Sequence, residues 1–233
     1  MKLEKGICLM ATVFCMYAAI AQTGTLSKKE TADGWVLLFD GKSLDGWQKS
    51  NGQPFNGKGW RVDNGVLSTD TASGHGGDIV TTKQFGDFEL SLEFKLEPGT
   101  NSGIKYALSK NTSLGFEYQL IDDARHADAK LGKNGNRTLA ALYDVLPPSS
   151  AKKAKPVGEW NTVRIVKKGT HAEHWLNGKM VLSYDQTSDI FKNGIAESKF
   201  KKENGFGETS PSPILLQEHG DIIHYRNIKI RNL

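Results

Sequence analysis

Apolar and polar residues alternate with a period of two in segment after segment of this 233-residue chain, and this pattern most limits its fold. Successive side chains of a strand point to opposite faces, so the alternation predicts strands with one buried face. Turn signals such as Asn64-Gly65 and Pro98-Gly99 separate these segments, and 25 glycines accompany little helical periodicity. We predict an all-β sandwich of two antiparallel sheets. Strands are expected in WVLLFD, WRVDNGVLST, DIVTT, FELSLEFKL, SGIKYALS, FEYQLI, NTVRIVKKG, HAEHWLNGKMVLSY, ILLQEHG and IIHYRNIKIRNL.

The first residues have the features of a secretory signal peptide. Lys2 and Lys5 precede the apolar run GICLMATVFCMYAAI, and a small-x-small site ends at Ala21. The run is shorter than the ~20 residues that span a bilayer, so we predict a signal peptide over 1–21 rather than a retained anchor. No transmembrane segment is then expected after cleavage, and the protein is expected to be secreted or periplasmic.

The remaining chain is interpreted as a flexible segment over 22–33 followed by one domain over 34–233. Two stretches of that domain interrupt the alternation. Residues 122–140 are polar and Gly-rich and predict a loop. Residues 185–213 predict a short helix and then a long Gly/Pro/Ser loop, and loops of this length in compact domains are usually functional or disordered.

Cysteine content and charge exclude several classes of function. Cys8 and Cys15 are the only cysteines, and both lie in the predicted signal peptide, so the mature protein would have no disulfide and no cysteine-ligated metal. A surface lipoprotein anchored at Cys15 is less favoured, because Thr12 stands where a lipidation motif usually has Leu. The net charge of +4 is scattered, and the basic run AKKAKP has no interleaved aromatic residues. We therefore expect no nucleic-acid partner.

One predicted strand carries an unusual polar face. In GFEYQLIDD, Phe116, Tyr118 and Leu120 alternate with Glu117 and Gln119. A strand that buries three large apolar groups more often exposes Lys, Thr and Ser than a carboxylate beside an amide. Outward-facing residues of neighbouring central strands would converge on one groove, which directs attention to other strands with polar faces.

Four further strands offer candidates for the same groove. Lys105 is flanked by the small residues Gly103 and Ala107 in SGIKYALS. Gln217 and His219 share one face of ILLQEHG. The other two candidates have plainer interpretations, since Arg164 alone would be a surface cation and His174 a packed sheet histidine.

The candidate residues suggest acid–base chemistry, and common cofactor motifs are absent. Histidine has the unperturbed pKa nearest neutrality, which suits His219 to proton transfer. Asp122 is placed to bind a cation or sugar hydroxyls at the strand end. His171 and His174 would point to opposite faces of a strand, so they predict no metal pair. There is no G-x-S-x-G, H-E-x-x-H, P-loop or dinucleotide fingerprint, so no nucleotide cofactor is expected.

An ordered set of segments resembles a known family. GWVLLFDGKSLDGW, GDFELSLEFKLEPGTNSGIKY, GFEYQLIDD, AALYDV, GEWNTVRIV, HWLNG, ESKF, PILLQEHGD and YRNIKIRNL together resemble the secreted bacterial 3-keto-disaccharide hydrolases, from about Gly34 to Leu233. The resemblance implies a concanavalin-like jelly roll with one short helix and long loops. It also implies a substrate oxidised at C3 of a glucose-type ring by a partner sugar 3-oxidoreductase.

A ketone at C3 acidifies the C2 proton, so the C1 substituent can leave by elimination and water can then add back. For the base we expect His219 or Glu117, and for the charge at the enolate oxygen Lys105 or a divalent cation held by Glu117 and His219. The remaining expected substrate-binding residues are Gln119, Asp122, Tyr143, Trp160, Asn161, Arg164, His174 and Gln217.

Three alternatives remain open on the sequence. Ordinary glycosidases use two opposed carboxylates, and Asp122 would be the partner of Glu117 in that mechanism. A non-catalytic, lectin-like module would bind sugars on the same fold without changing them. A structural partner in polysaccharide use is the third.

Overall fold

A computed structural model describes residues 23–110, 112–207 and 211–233 of the chain. The predicted signal peptide, with Cys8 and Cys15, lies outside these residues. No helix in the described ranges is long and apolar enough to cross a membrane.

The described residues form thirteen strands, two α-helices and two 3₁₀ turns, the turns spanning Thr71–Ser73 and Ala127–Lys130. The strands are short, as the short alternating segments of the sequence predict. The elements are β1 Val36–Leu37, β2 Trp47–Lys49, β3 Trp60–Asp63, β4 Val66–Thr69, β5 Ile79–Thr81, β6 Phe88–Leu96, β7 Asn101–Tyr106, β8 Phe116–Ile121, β9 Asn161–Lys168, β10 His171–Leu176, β11 Lys179–Asp185, β12 Leu215–Leu216 and β13 Ile223–Asn232, with α1 Lys28–Ala32 and α2 Asp189–Glu197.

The strands build two antiparallel sheets, as the alternation predicts. The large sheet has the order β11-β10-β9-β6-β13-β4-β3, with β1 paired to β13 off this path. The small sheet has the order β2-β5-β12-β7-β8. Non-consecutive neighbours such as β6 and β13 require long connections across the sandwich. The predicted all-β sandwich of two antiparallel sheets is confirmed.

The core lies between the two sheets and holds the apolar half of each alternating strand. Phe116, Tyr118 and Leu120 of β8 are at most 1% exposed, and they belong to the same core cluster as residues of the large sheet such as Ile165. Fully burying a side chain of this size contributes roughly 1.5–3 kcal/mol. The opposite half of each strand of the small sheet therefore faces away from the core.

His174 belongs to this core rather than to a substrate site. It is 0% exposed, and its Nε2 lies 2.7 Å from the hydroxyl of Tyr106 on the small sheet. Its Nδ1 lies 3.0 Å from the carbonyl oxygen of Ala140. Burial lowers the pKa of His174 to about 4. The structure thus corrects the expected role of His174 in substrate binding, because the side chain links the two sheets.

The helix predicted in 185–213 is α2. Ser188 caps it by accepting a hydrogen bond from the amide of Phe191, which is buried. The segment expected to be flexible contains α1, because Ser27 and Glu30 form a capping box at its start. The carboxylate of Glu30 also pairs with Lys229 on β13.

Candidate active site

The site lies on the outer face of the small sheet, where β7, β8 and β12 run side by side. Lys105 pairs in register with Glu117 on β8 and with Leu215 on β12. Gly103 pairs with Gln119, and its carbonyl accepts the amide of Gln217 just beyond β12. Because the intervening residues of β7 and β8 are core residues, these side chains face outward together.

Glu117 is the central group of this face. Its Oε2 lies 3.6 Å from Nζ of Lys105, and the residue is 7% exposed. The amide of Gln119 fits its surroundings best with the nitrogen 3.1 Å from Glu117 Oε1 and 3.0 Å from the carbonyl oxygen of Ser102. The carboxylate also lies across Gly103, where an added Cβ would come within 2.3 Å of Oε1. Glycine at this position is what leaves room for the carboxylate.

Burial raises the pKa of the Glu117 carboxyl above its ordinary value. The positive charges of Lys105 and Lys199 oppose this effect, and the negative charge of Asp78 adds to it. A carboxylate with a raised pKa is a stronger base than an exposed one, which suits it to removing a proton near neutral pH.

The surrounding residues enclose a small cleft of about 90 Å³, here called the reaction cleft. One wall comes from the segment that follows α2, and the ammonium of Lys199 lies 4.2 Å from the ring centre of Tyr143. The pKa of Lys199 is lowered by burial, against the pull of Glu117. The reaction cleft is lined by Asn101, Lys105, Ser113, Leu114, Gly115, Glu117, Gln119, Tyr143, Lys199, Phe200, Gln217 and His219.

Six residues predicted from the sequence therefore meet in one place. They are the three proposed catalytic residues and three of the proposed substrate ligands: Lys105, Glu117, His219, Gln119, Tyr143 and Gln217. The imidazole of His219 and the carboxyl of Glu117 lie on the same side of the molecule. The side chain of His219 is exposed, whereas that of Glu117 is buried.

Two functional candidates were missed. Lys199 follows a helix, where no strand alternation indicates its direction. Asp78 precedes β5 and shares parity with Val80, and its carboxylate accepts the amide of Glu218 at 2.9 Å. Burial raises the pKa of Asp78, while the charges of Lys105 and His219 oppose the rise. The sequence shows that Asp78 and Val80 face the same side, but it does not show which strand lies beside them.

Trp160 and Arg164 lie on the outer face of the large sheet, so the structure corrects their expected place. The guanidinium of Arg164 stacks 4.3 Å from the ring centre of Trp175 and pairs with Glu89. Trp160 lies under the guanidinium of Arg226 at 4.1 Å. These contacts belong to the outer surface of the large sheet and not to the reaction cleft.

Asp122 and Asn161 line a different, small cavity of about 160 Å³. Burial favours the neutral form of Asp122, but hydrogen bonds from the Gly99 amide and the Arg125 side chain lower its pKa overall. Asn161 accepts the amide of Lys155 at 2.8 Å. Both side chains hold loops in place, so neither belongs to the reaction cleft, and Asp122 is not the opposed carboxylate of Glu117.

No group of three or more His, Cys, Asp or Glu side chains that could hold a metal ion occurs in the part of the chain that the structure describes. The positive charges beside Glu117 are supplied by two lysines. What the cleft offers chemically is a buried base, two ammonium groups, an exposed imidazole and several amides.

Comparison with known proteins identifies the family. Residues 34–231 match the model of the 3-keto-alpha-glucoside-1,2-lyase-like domain. The chain belongs to this family. It is 34% identical over 244 residues to a 3-keto-disaccharide hydrolase of Bacteroides thetaiotaomicron, covering 91% of this chain and 83% of that protein. The family assignment makes the chain an enzyme of the glycoside-hydrolase type and confirms the predicted resemblance.

Two solved structures have a fold similar to that of this chain. A protein of Parabacteroides distasonis, provisionally described as a glycosyl hydrolase, has a TM-score of 0.79 and 29% identity, covering 91% of this chain and 99% of its own. A second one from the same organism has a TM-score of 0.69 and 32% identity, covering 85% and 99%.

Proposed function

We propose that the protein cleaves glycosides whose glucose-type ring carries a ketone at C3, by elimination across C1 and C2 followed by addition of water. The observation that carries the proposal is the buried Glu117 carboxylate, which has the ammonium of Lys105 at 3.6 Å and shares its cleft with the ammonium of Lys199. An oxocarbenium route has two opposed carboxylates as its hallmark. Lysines beside the carboxylate instead suit a reaction whose developing charge is an enolate.

In the first half of the reaction Glu117 removes the C2 proton, and Lys105 and Lys199 stabilise negative charge on the C3 oxygen. The C1–O bond breaks, its electron pair goes to the leaving oxygen, and His219 protonates that oxygen. The product is an enone with a double bond between C1 and C2. Preorganised charge at an oxyanion typically contributes a factor of ~10²–10³ in kcat.

In the second half, water adds to C1 of the enone and a proton returns to C2. His219, now neutral, accepts the proton of the attacking water. The carboxyl proton of Glu117 exchanges with solvent while the enone is bound, and Glu117 then delivers a proton to C2. The ring leaves as a free 3-keto sugar, so the net reaction is hydrolysis. Gln119 and Gln217 hold ring hydroxyls, and Tyr143 covers one side of the ring.

The test uses a 3-keto-glucoside with a chromogenic leaving group, with the unmodified glucoside as the substrate control. Wild type is expected to release the chromophore only from the ketone. Glu117→Gln should reduce kcat/KM by about 10²–10⁴-fold, since it removes the general base. The matched control Glu159→Gln, an exposed glutamate outside the cleft, should keep wild-type activity. Treatment with EDTA tests whether activity needs a divalent cation, the alternative to Lys105 at the enolate oxygen.

Isotope incorporation separates elimination from direct hydrolysis. In D₂O, elimination and readdition place one solvent deuterium at C2 of the 3-keto sugar for each turnover. The uncatalysed exchange of substrate and product must be measured alone and subtracted. Product that carries only this background deuterium would rule out elimination with proton exchange at Glu117.

The proposed reaction also requires an enzyme that produces the 3-keto substrate, and a cellular location for this protein. Because glucosides do not carry a C3 ketone, a sugar 3-oxidoreductase acting first is part of the proposal. Secretion to the periplasm or beyond is proposed from the charged start and apolar run of the predicted signal peptide. N-terminal sequencing of the exported protein tests it, with Gln22 as the expected first residue.

A further inference from the structure

A second and larger cavity lies beside the reaction cleft. Its volume is about 590 Å³, against about 90 Å³ for the reaction cleft. Ligand sites in proteins usually measure ~300–1,000 Å³. The reaction cleft alone is therefore small for a disaccharide, whereas the second cavity, here called the lateral cavity, has the size of a binding site.

The two spaces lie on the same face of the small sheet. Lys105 of the reaction cleft pairs with Leu215, which pairs with Val80 on β5, and Val80 pairs with Gln48 on β2. Val80 and Gln48 line the lateral cavity. Neighbouring strands are ~4.7–4.9 Å apart, so Val80 stands about 10 Å from Lys105 across the sheet.

Residues 112 and 113, which lie between β7 and β8 in the chain, form a wall common to both spaces. Ser113 lines the reaction cleft and Thr112 lines the lateral cavity. The hydroxyl of Thr112 bonds to the carbonyl of Ser109 and to the amide of Leu114, which fixes this wall locally. A ligand that reaches across the wall would occupy both spaces.

The lining of the lateral cavity suits an uncharged, hydroxylated ring. Val80 and Leu108 are buried and form an apolar cluster with Leu215, which offers a surface for the C–H face of a sugar. The side-chain amides of Gln48 and Gln84 have no hydrogen-bond partner among the residues that the structure describes, so they can bind hydroxyl groups. Lys110 is the one charged residue in the described lining.

We propose that the lateral cavity is the leaving-group site, which holds the second, uncharged sugar ring while the 3-keto ring lies in the reaction cleft. This inference rests on the proposed function, because it assigns the two halves of the substrate to two spaces. It predicts that the enzyme distinguishes a disaccharide from a simple alkyl glycoside through residues three to four strands away from Glu117.

The experiment compares two substrates in the full mature chain: a 3-keto disaccharide of glucose and methyl 3-keto-glucoside, which lacks the second ring. The variant Gln48→Ala/Gln84→Ala should lower kcat/KM for the disaccharide about tenfold, as expected for two lost hydrogen bonds. It should change kcat/KM for the methyl glycoside less than twofold. The matched control Gln186→Ala, outside both spaces, should leave both values unchanged.

A second measurement keeps the inference separate from the proposed chemistry. Maltose and methyl glucoside, both without a ketone, are titrated into wild type and variant and followed by amide chemical shifts. The expected result is weaker maltose binding by the variant, with shifts around Val80 and Leu108 in wild type.

The outcomes are distinguishable. If wild type cleaves no 3-keto substrate but binds maltose in a way that depends on Gln48 and Gln84, the proposed function fails and the sugar site stands. An equal loss for both 3-keto substrates, or no loss in either kinetics or binding, overturns the leaving-group site.

Discussion

At the scale of single residues, the position of Glu117 depends on a residue without a side chain. The carboxylate occupies the space above Gly103, and Lys105 approaches it from the next outward position of the same strand. A buried carboxylate is costly unless it is paired or hydrogen-bonded. Here Lys105 and Gln119 reduce that cost without removing it, since the pKa of Glu117 is still raised.

Gly103→Ala should therefore displace the proposed base and reduce kcat/KM for a 3-keto-glucoside by about 10–100-fold, because small misplacements of reacting groups are costly. The melting temperature is expected to change little. In a Glu117→Gln background the same substitution should cost less than twofold, since the base is already absent. Equal losses in the two backgrounds would mean that Gly103 acts on something other than Glu117.

At the scale of elements, one carboxylate attaches the segment after α2 to the cleft. Asp144 has a left-handed backbone with φ 61°, which Asp tolerates better than most residues. Its Oδ2 accepts the amide of Lys199 at 2.7 Å, and its Oδ1 accepts Nε of Arg137 at 2.6 Å. The wall that contains Lys199 and Phe200 is thus held from the loop after β8.

Asp144→Ala should destabilise the protein by about 1–3 kcal/mol, because it leaves the Lys199 amide without its acceptor and removes one of the two carboxylates that bind the Arg137 guanidinium. Hydrogen exchange at the Lys199 amide should accelerate, and kcat/KM should fall. The control Asp189→Ala removes an exposed carboxylate from α2 itself and should affect neither. Unchanged exchange at Lys199 would show that the wall is held by other contacts.

The elements also show what the sequence could and could not predict. Alternation reveals which residues share a strand face, and it places Glu117, Gln119 and Lys105 outward as the structure does. It does not reveal which sheet a strand joins, so it cannot separate the outward-facing Arg164 from these residues, although β9 belongs to the large sheet. Lys199 follows a helix and a turn, and no periodic pattern gives its direction.

At the scale of the whole molecule, the two sheets are joined through a neutral histidine. The ring of His174 on β10 contacts the hydroxyl of Tyr106 on β7, and the carbonyl of Ala140 holds its other nitrogen. Both nitrogens have partners, which satisfies a polar group buried between apolar layers. Alternation shows only which neighbours share a strand face with His174, and that face is compatible with both a core and a surface position.

The stability of the sandwich should accordingly fall in acid because of His174. Its pKa is lowered from 6.5 to about 4, so the unfolded chain takes up a proton before the folded one does. The contribution is fully present above pH 6.5 and is lost as the pH falls toward 4, by about 3 kcal/mol at 1.36 kcal/mol per pKa unit.

Free energies of unfolding from urea titrations across this range should fall more steeply for wild type than for His174→Gln. Tyr106→Phe, which keeps the buried imidazole but removes one partner, should lower stability at every pH and retain the steeper fall. Parallel curves for wild type and His174→Gln would mean that the acid sensitivity of the fold arises elsewhere.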